Sequence, residues 1–300
     1  MGKSKTSFTG VFSLLLTPFH KDGKIDWNVY KKYVDWQLTF NPNGLFAVCG
    51  TSEMKWLALE ERLQLAKIAV QRAGTTPVIA TANLDVNKFF HKEEIKRMTE
   101  TGVSGVVIVP PPKLGRNQSE LGSYIMELAK IAKVPVYIYE WPLTDPYFIS
   151  SELWECLSRD HNIKGIKDTT CTLQDIKEKI AKSSSDMTVF QANAPFMLDS
   201  IIAGAKGIMS VTSASFNELV INFWQEVNQD PFSNRVKALH QQIVYLDSIL
   251  RYGYPATAKY LAKLQGINMN LYCRWPVTLS QEAKKGIELF YEYYKEKLIV

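Results

Sequence analysis

Eight short runs of β-branched and other apolar residues, most followed by a longer segment of helical period, fill the first 228 residues of the chain. The runs are 11–16, 44–49, 77–82, 105–109, 134–139, 163–168, 187–191 and 207–211. Between them lie amphipathic stretches such as 27–39, 59–73, 86–101 and 119–132. Each is long enough to carry the chain over a sheet and back into a parallel neighbour. Eight such units predict an α/β fold of the (β/α)8 or TIM barrel type. A doubly wound sheet would open with a glycine-rich turn after its first strand, whereas this chain has Thr17-Pro18-Phe19-His20 there. A length of 300 residues with 46% hydrophobic content suffices for one large core.

From Pro231 onward the patterns are helical only, over 233–252, 256–264 and 280–297. No Gly/Ser-rich or Pro-rich linker precedes them. The expected organisation is therefore a barrel over 1–228 and a helical extension over 229–300 packed on it, a single domain overall.

Several partner classes fall away on composition. The net charge of +5 comes from 35 basic and 30 acidic residues that are interspersed, so no basic stripe marks a nucleic-acid partner. No apolar stretch reaches the roughly 20 residues a membrane helix needs, and residues 1–10 lack a signal-peptide pattern. Cys49, Cys156, Cys171 and Cys273 are scattered, and the four histidines show no ligand spacing, so neither a disulfide framework nor a metal is expected. A reducing cytoplasm fits best.

Active sites of such barrels lie at the carboxyl ends of the strands. The sixth run closes with Lys167, and the period of two puts Lys164 on the opposite face. Apolar barrel walls disfavour an ammonium, which leaves a free amine able to attack a carbonyl. The fifth run closes with Tyr139, a phenol on the neighbouring strand able to shuttle protons during imine formation. Taken alone, the lysine is better explained as a cap or an ion pair with Asp168, and the tyrosine equally well as an aromatic plug. Glu140 is either a second acid/base group or a buried carboxylate fixing its loop. The second run ends Gly50-Thr51-Ser52-Glu53, a polar turn suited to a carboxylate and also to capping the next helix. Ser210, near the end of the eighth run, either faces the site or fills the barrel.

Together these strand ends resemble the dihydrodipicolinate synthase / N-acetylneuraminate lyase family of class I aldolases along almost the full length. The resemblance rests on Leu16-Thr17-Pro18-Phe19, Gly50-Thr51-Ser52-Glu53, Tyr139-Glu140-Trp141-Pro142, Gly165-Ile166-Lys167-Asp168, Gly204-Ala205-Lys206-Gly207-Ile208-Met209-Ser210 and residues 255–266. It implies a Schiff base on Lys167 with pyruvate or another 2-oxo acid, and proton transfer by Tyr139. It further implies that Thr51 and the Ser52 backbone hold the carboxylate, with Gly50, Met209, Glu140 and Thr144 completing the substrate site. The imine is itself the electron sink, so no cofactor is implied. Relatives are usually homotetramers, so a homo-oligomer, dimer or tetramer, is expected.

The chain departs from the synthase pattern where that pattern has two adjacent threonines, since Gly50 replaces the first. Pro110-Pro111-Pro112 replaces a Pro-Tyr-Tyr relay, Glu140 an asparagine, and Thr144 an arginine that binds the aldehyde's carboxylate. These departures favour an aldolase or dehydratase acting on a 2-oxo-3-deoxy sugar acid. The alternatives are 4-hydroxy-tetrahydrodipicolinate synthase and, from another class, a 2-oxo acid sensor that has lost turnover.

Overall fold

A computed structural model describes residues 8–298. Its eight strands are β1 Gly10–Leu14, β2 Gly44–Val48, β3 Val78–Thr81, β4 Gly105–Ile108, β5 Val136–Tyr139, β6 Ile163–Asp168, β7 Thr188–Gln191 and β8 Gly207–Ile208. They pair in sequence order, and β8 closes on β1, so the barrel expected from the alternation is present. The two closing pairs are parallel, Gly10 beside Gly207 and Phe190 beside Gly207.

The helices are α1 Trp27–Leu38, α2 Leu59–Ala73, α3 His91–Glu100, α4 Gln118–Ile131, α5 Ser151–Leu157, α6 Leu173–Lys182, α7 Met197–Ile202, α8 Asn217–Val227, α9 Asn234–Leu250, α10 Ala256–Leu264 and α11 Gln281–Leu298. Local chemistry sets their starts. Side chains of Asp26, Asn117, Ser150 and Ser233 accept from the first free amides of α1, α4, α5 and α9.

Two of the boundary shifts have the same cause. The eighth strand stops at Ile208 because Val211–Ala214 winds into a 3-10 turn capped by the Ser210 side chain. The third helix begins at His91, not at residue 86, because Asn87 accepts from the Phe89 amide and starts a 3-10 turn over Lys88–Phe90.

Inside the barrel the layers alternate by strand. Phe12, Ile79, Tyr137 and Phe190, from the odd strands, fill the lower layer. The even strands place glycines beside them. A Cβ on Gly44 would lie 2.3 Å from the Phe12 ring, on Gly105 2.9 Å from Tyr137, and on Gly207 2.4 Å from Phe190. Two residues further along the even strands, the period of two puts Phe46, Val107, Lys167 and Met209 in the next layer. One lysine therefore occupies a slot in an otherwise apolar tier.

Helices α9 to α11 continue from α8 and lie against the barrel. Phe290 and Tyr294 of α11 pack edge-on around Phe216 with centroids 6.0 and 4.6 Å away, and Phe223 is fully buried, so these aromatics belong to the core. A second fastening is ionic. Glu53, in the left-handed conformation at φ 62°, accepts from Lys259 Nζ of α10 at 2.6 Å and from the amides of Arg274 and Trp275 at 2.6 and 2.7 Å. Among the described residues no helix is long and apolar enough to cross a membrane.

Candidate active site

Lys167 and Tyr139 are direct register partners across β5 and β6, near the carboxyl ends of both strands. Lys167 is 4% exposed and Tyr139 6%. The amine lies 4.2 Å from the centroid of the Tyr139 ring and 5.5 Å from that of Phe46. Among the described residues it has no carboxylate and no hydrogen-bond partner. Burial without a counter-charge pulls its pKa down from 10.5 to about 8. Lys164, by contrast, lies toward the other end of β6, 2.7 Å from Asp186. Burial pushes the Tyr139 phenol well above 10, which keeps it protonated. An amine that gives up its proton near pH 8 beside a phenol that keeps its own suits carbinolamine formation and dehydration.

The turn after β2 faces this pair. An added Cβ on Gly50 would stand 3.2 Å from both Tyr139 Oη and Trp141 Nε1, so glycine is what allows the indole and the phenol to approach the turn. No hydrogen-bond partner engages the amides of Gly50 and Thr51 among the described residues. Thr51 Oγ1 accepts from Tyr254 Oη at 2.6 Å. Ser52 behaves otherwise than expected. Its amide donates to the Cys49 carbonyl at 3.1 Å, and its hydroxyl bridges the Cys49 amide and carbonyl at 2.7 and 2.8 Å. Ser52 therefore closes the turn, and the groups left for an anion are the Thr51 hydroxyl and the amides of Gly50 and Thr51. Cys49, whose backbone the Ser52 hydroxyl bridges, is fully buried.

Glu140 resolves into the second of its two readings. Tyr139 faces the barrel interior, so its neighbour turns toward the helix layer, and Glu140 is fully buried there. Lys179 Nζ of α6 donates to Glu140 Oε1 at 2.6 Å and to Asp168 Oδ2 at 2.8 Å. Glu140 also accepts from the amides of Ile149 at 2.7 Å and Thr169 at 3.4 Å, and its carbonyl accepts from the Thr169 hydroxyl. It is a structural carboxyl group that ties the β5–α5 and β6–α6 loops to α6, behind the Lys167–Tyr139 pair. Burial pushes its pKa up to about 8 against the pull of Lys179, and Asp168 adds to the rise. For Lys179 burial alone would depress the ammonium, but Glu140 and Asp168 outweigh it and hold it above its ordinary value.

The remaining candidates have simpler positions. Met209 is 1% exposed and lies in the same tier as Lys167, its amide donating to the Gln191 carbonyl at 3.0 Å. Thr144 is buried in the β5–α5 loop, its amide donating to the Trp141 carbonyl at 3.0 Å. Ser210 Oγ is 2.8 Å from Thr212 Oγ1 and serves the 3-10 turn. Sequence reasoning missed Trp141, Tyr254 and Lys179. Tyr254 adjoins the 255–266 motif, but nothing local ties it to Thr51, 203 residues away.

A closed parallel barrel with an unpaired, desolvated amine and a phenol on adjacent strand ends defines an enzyme of the class I lyase type. The sequence matches the profile of the dihydrodipicolinate synthetase family over residues 7–289, and the chain belongs to that family. It is 26% identical to the 4-hydroxy-tetrahydrodipicolinate synthase of Brachyspira hyodysenteriae, over 94% of this chain and 96% of that protein. The crystal structure of a dihydrodipicolinate synthase from Bacillus anthracis superposes with a TM-score of 0.88 at 25% identity, covering 95% of this chain and 98% of that one. A prophage protein of E. coli K12 from the dihydrodipicolinic acid synthase family, solved in complex with pyruvate, shares the fold with a TM-score of 0.88 at 21% identity, covering 96% and 99%.

Proposed function

We propose that this protein is a pyruvate-dependent lyase that works through an imine on Lys167. The observation that carries the reading is the Lys167 amine itself, buried, unpaired and held near pKa 8, on the face of the Tyr139 ring. The neutral amine attacks the 2-oxo carbon, and the Nζ–C bond forms. As the carbonyl π bond opens, Tyr139 gives its proton to the oxygen and recovers one from the nitrogen; a second proton, passed through Tyr139 and replaced from solvent, carries the oxygen off as water as the C–O bond breaks, leaving the protonated imine. The carboxylate accepts from the Thr51 hydroxyl and from the amides of Gly50 and Thr51. The protonated imine then draws electrons from the neighbouring carbon, so a C–C bond can form or break with no cofactor.

For the aldehyde half, the relatives and the residues point in different directions. Relatives that match over nearly the whole chain are 4-hydroxy-tetrahydrodipicolinate synthases, and this supports condensation of pyruvate with an aldehyde acid. A second reading, cleavage or dehydration of a 2-oxo-3-deoxy sugar acid, is favoured by one observation. Gly50 leaves no side-chain hydroxyl beside Tyr139, and Thr144 offers no cation for a second carboxylate.

Incubation with pyruvate and cyanoborohydride, followed by peptide mass mapping, tests the common step. The expected result is a reduced pyruvyl adduct on Lys167, and an unmodified Lys167 at saturating pyruvate rejects the reading. Turnover assays with aspartate semialdehyde and with 2-oxo-3-deoxy sugar acids then separate the two aldehyde readings.

A cytoplasmic setting is supported by four free cysteines among the described residues. A homo-oligomer, dimer or tetramer, is supported by Val86, Phe89, Leu143 and Phe148, large apolar side chains exposed on two carboxyl-end loops. Light scattering coupled to size exclusion measures its mass.

A further inference from the structure

Tyr254 stands at the start of the segment leading into α10, outside the barrel strands, yet its hydroxyl donates to Thr51 Oγ1 at 2.6 Å. The contact joins the helical extension to the turn after β2. Burial pushes the Tyr254 phenol well above 10, so it keeps a proton to give, and the bond runs from Tyr254 Oη to Thr51 Oγ1. A hydroxyl oxygen that accepts from a fixed donor has its own proton left to give. The Thr51 proton then points away from Tyr254. Thr51 follows Gly50, whose added Cβ would lie 3.2 Å from Tyr139 Oη, so Tyr254 meets the turn on the side of the Lys167–Tyr139 pair. The loops around it are pinned from elsewhere, since Thr257 Oγ1 donates to the Leu250 carbonyl at 2.6 Å and Lys259 reaches Glu53 at 2.6 Å. The Tyr254 hydroxyl is therefore not what holds its own segment in place.

We propose that Tyr254 is a positioning residue that fixes the Thr51 hydroxyl as a donor to the substrate carboxylate, so that the carboxylate subsite is built jointly by the barrel and the helical extension. The proposal rests on the imine reading above. It assigns to the extension a part in binding 2-oxo acids, and it makes the selectivity for a charged carboxylate depend on a residue that never touches the reacting carbon.

The test follows imine trapping by cyanoborohydride over a range of concentrations of two probes, pyruvate and its methyl ester, which has the same 2-oxo carbon and no anionic carboxylate. In Tyr254→Phe, the concentration of pyruvate giving half-maximal trapping is expected to rise about three- to tenfold, the worth of one hydrogen bond between neutral groups. The yield at saturation stays at the wild-type level, and the methyl ester's half-maximal concentration does not move. Tyr254→Leu, also without a hydroxyl, gives the same shift. Thr51→Val raises the pyruvate value, and combining it with Tyr254→Phe adds nothing further.

A Tyr254→Phe protein with the wild-type pyruvate value, beside a shifted Thr51→Val, overturns the proposal and leaves the imine reading standing. Equal shifts for the two probes, or a shift in Tyr254→Leu alone, mark packing rather than hydroxyl orientation and also overturn it. Absence of any adduct in the wild type rejects the imine reading itself.

Discussion

Lys167 and Tyr139 face each other in register across β5 and β6, and the lysine nitrogen rests 4.2 Å from the centre of the phenol ring. A cation over an aromatic face gains some stabilisation. Here the loss of water is the larger effect, because the amine's pKa falls to about 8 in spite of the ring. The apolar tier made with Phe46, Val107 and Met209 supplies that desolvation.

Adduct formation should follow the fraction of free amine. Below pH 8 the trapping rate at fixed pyruvate is expected to rise about tenfold per pH unit, and above it to level off. Stopped-time trapping between pH 6 and 10 measures the curve. A rate still climbing steeply at pH 10 would show an amine with its ordinary pKa.

Burying an unpaired amine also costs stability. The native amine releases its proton near pH 8 while the unfolded one holds it to 10.5, so stability rises with pH across that window. Below it the folded protein bears the full penalty, on the order of 3 kcal/mol. Lys167→Met is expected to abolish trapping, to raise the urea midpoint at pH 7, and to flatten the dependence between pH 8 and 10. A variant less stable than the parent at pH 7 contradicts this.

The Glu140 carboxyl behaves with the opposite sign. Its pKa is raised from 4.5 to about 8, so its contribution is present in full below pH 4.5 and is lost as pH rises to 8. Glu140→Gln should remove that decline, read as a smaller fall in melting temperature between pH 5 and 8. Lys179→Met removes the donor shared by Glu140 and Asp168 and leaves a buried acid without its cation, which should cost about 3–5 kcal/mol by urea titration at pH 7. A neutral result for Lys179→Met would mean that water already reaches the two carboxylates.

Gly50→Ala puts a methyl 3.2 Å from both Tyr139 Oη and Trp141 Nε1, tighter than these groups ordinarily tolerate. Displacing the phenol by tenths of an ångström is expected to slow adduct formation roughly tenfold with little change in melting temperature. Adding Trp141→Phe should restore part of the loss. If Gly50→Ala traps pyruvate at the parental rate, the close approach is without consequence.

The barrel was legible because its signal is periodic and repeated. Each apolar run predicts one strand, and an error of a residue or two leaves the count intact. Lys167 and Tyr139 were legible because the period of two and the polarity of the strands fix both face and end. The same period, applied one residue further, puts Glu140 on the outer face, so its structural role was within reach of the sequence, although its partner was not. Lys179 carries no local mark that separates it from the other lysines of α6. The start of α3 and the end of β8 were hidden by single side chains, Asn87 and Ser210, that capture nearby amides. Tyr254 with Thr51, and Lys259 with Glu53 across 206 residues, are joined only by the folded chain.

The packing of Phe12, Ile79, Tyr137 and Phe190 below the reactive nitrogen gives the cylinder a solid floor. The amine is thus approached from the carboxyl ends of the strands. The 2-oxo acid, the water expelled from it, the second reactant and the product must all pass the same way and take turns. Such traffic favours an ordered sequence in which the covalently held acid enters first and the final product clears the opening before the next cycle begins.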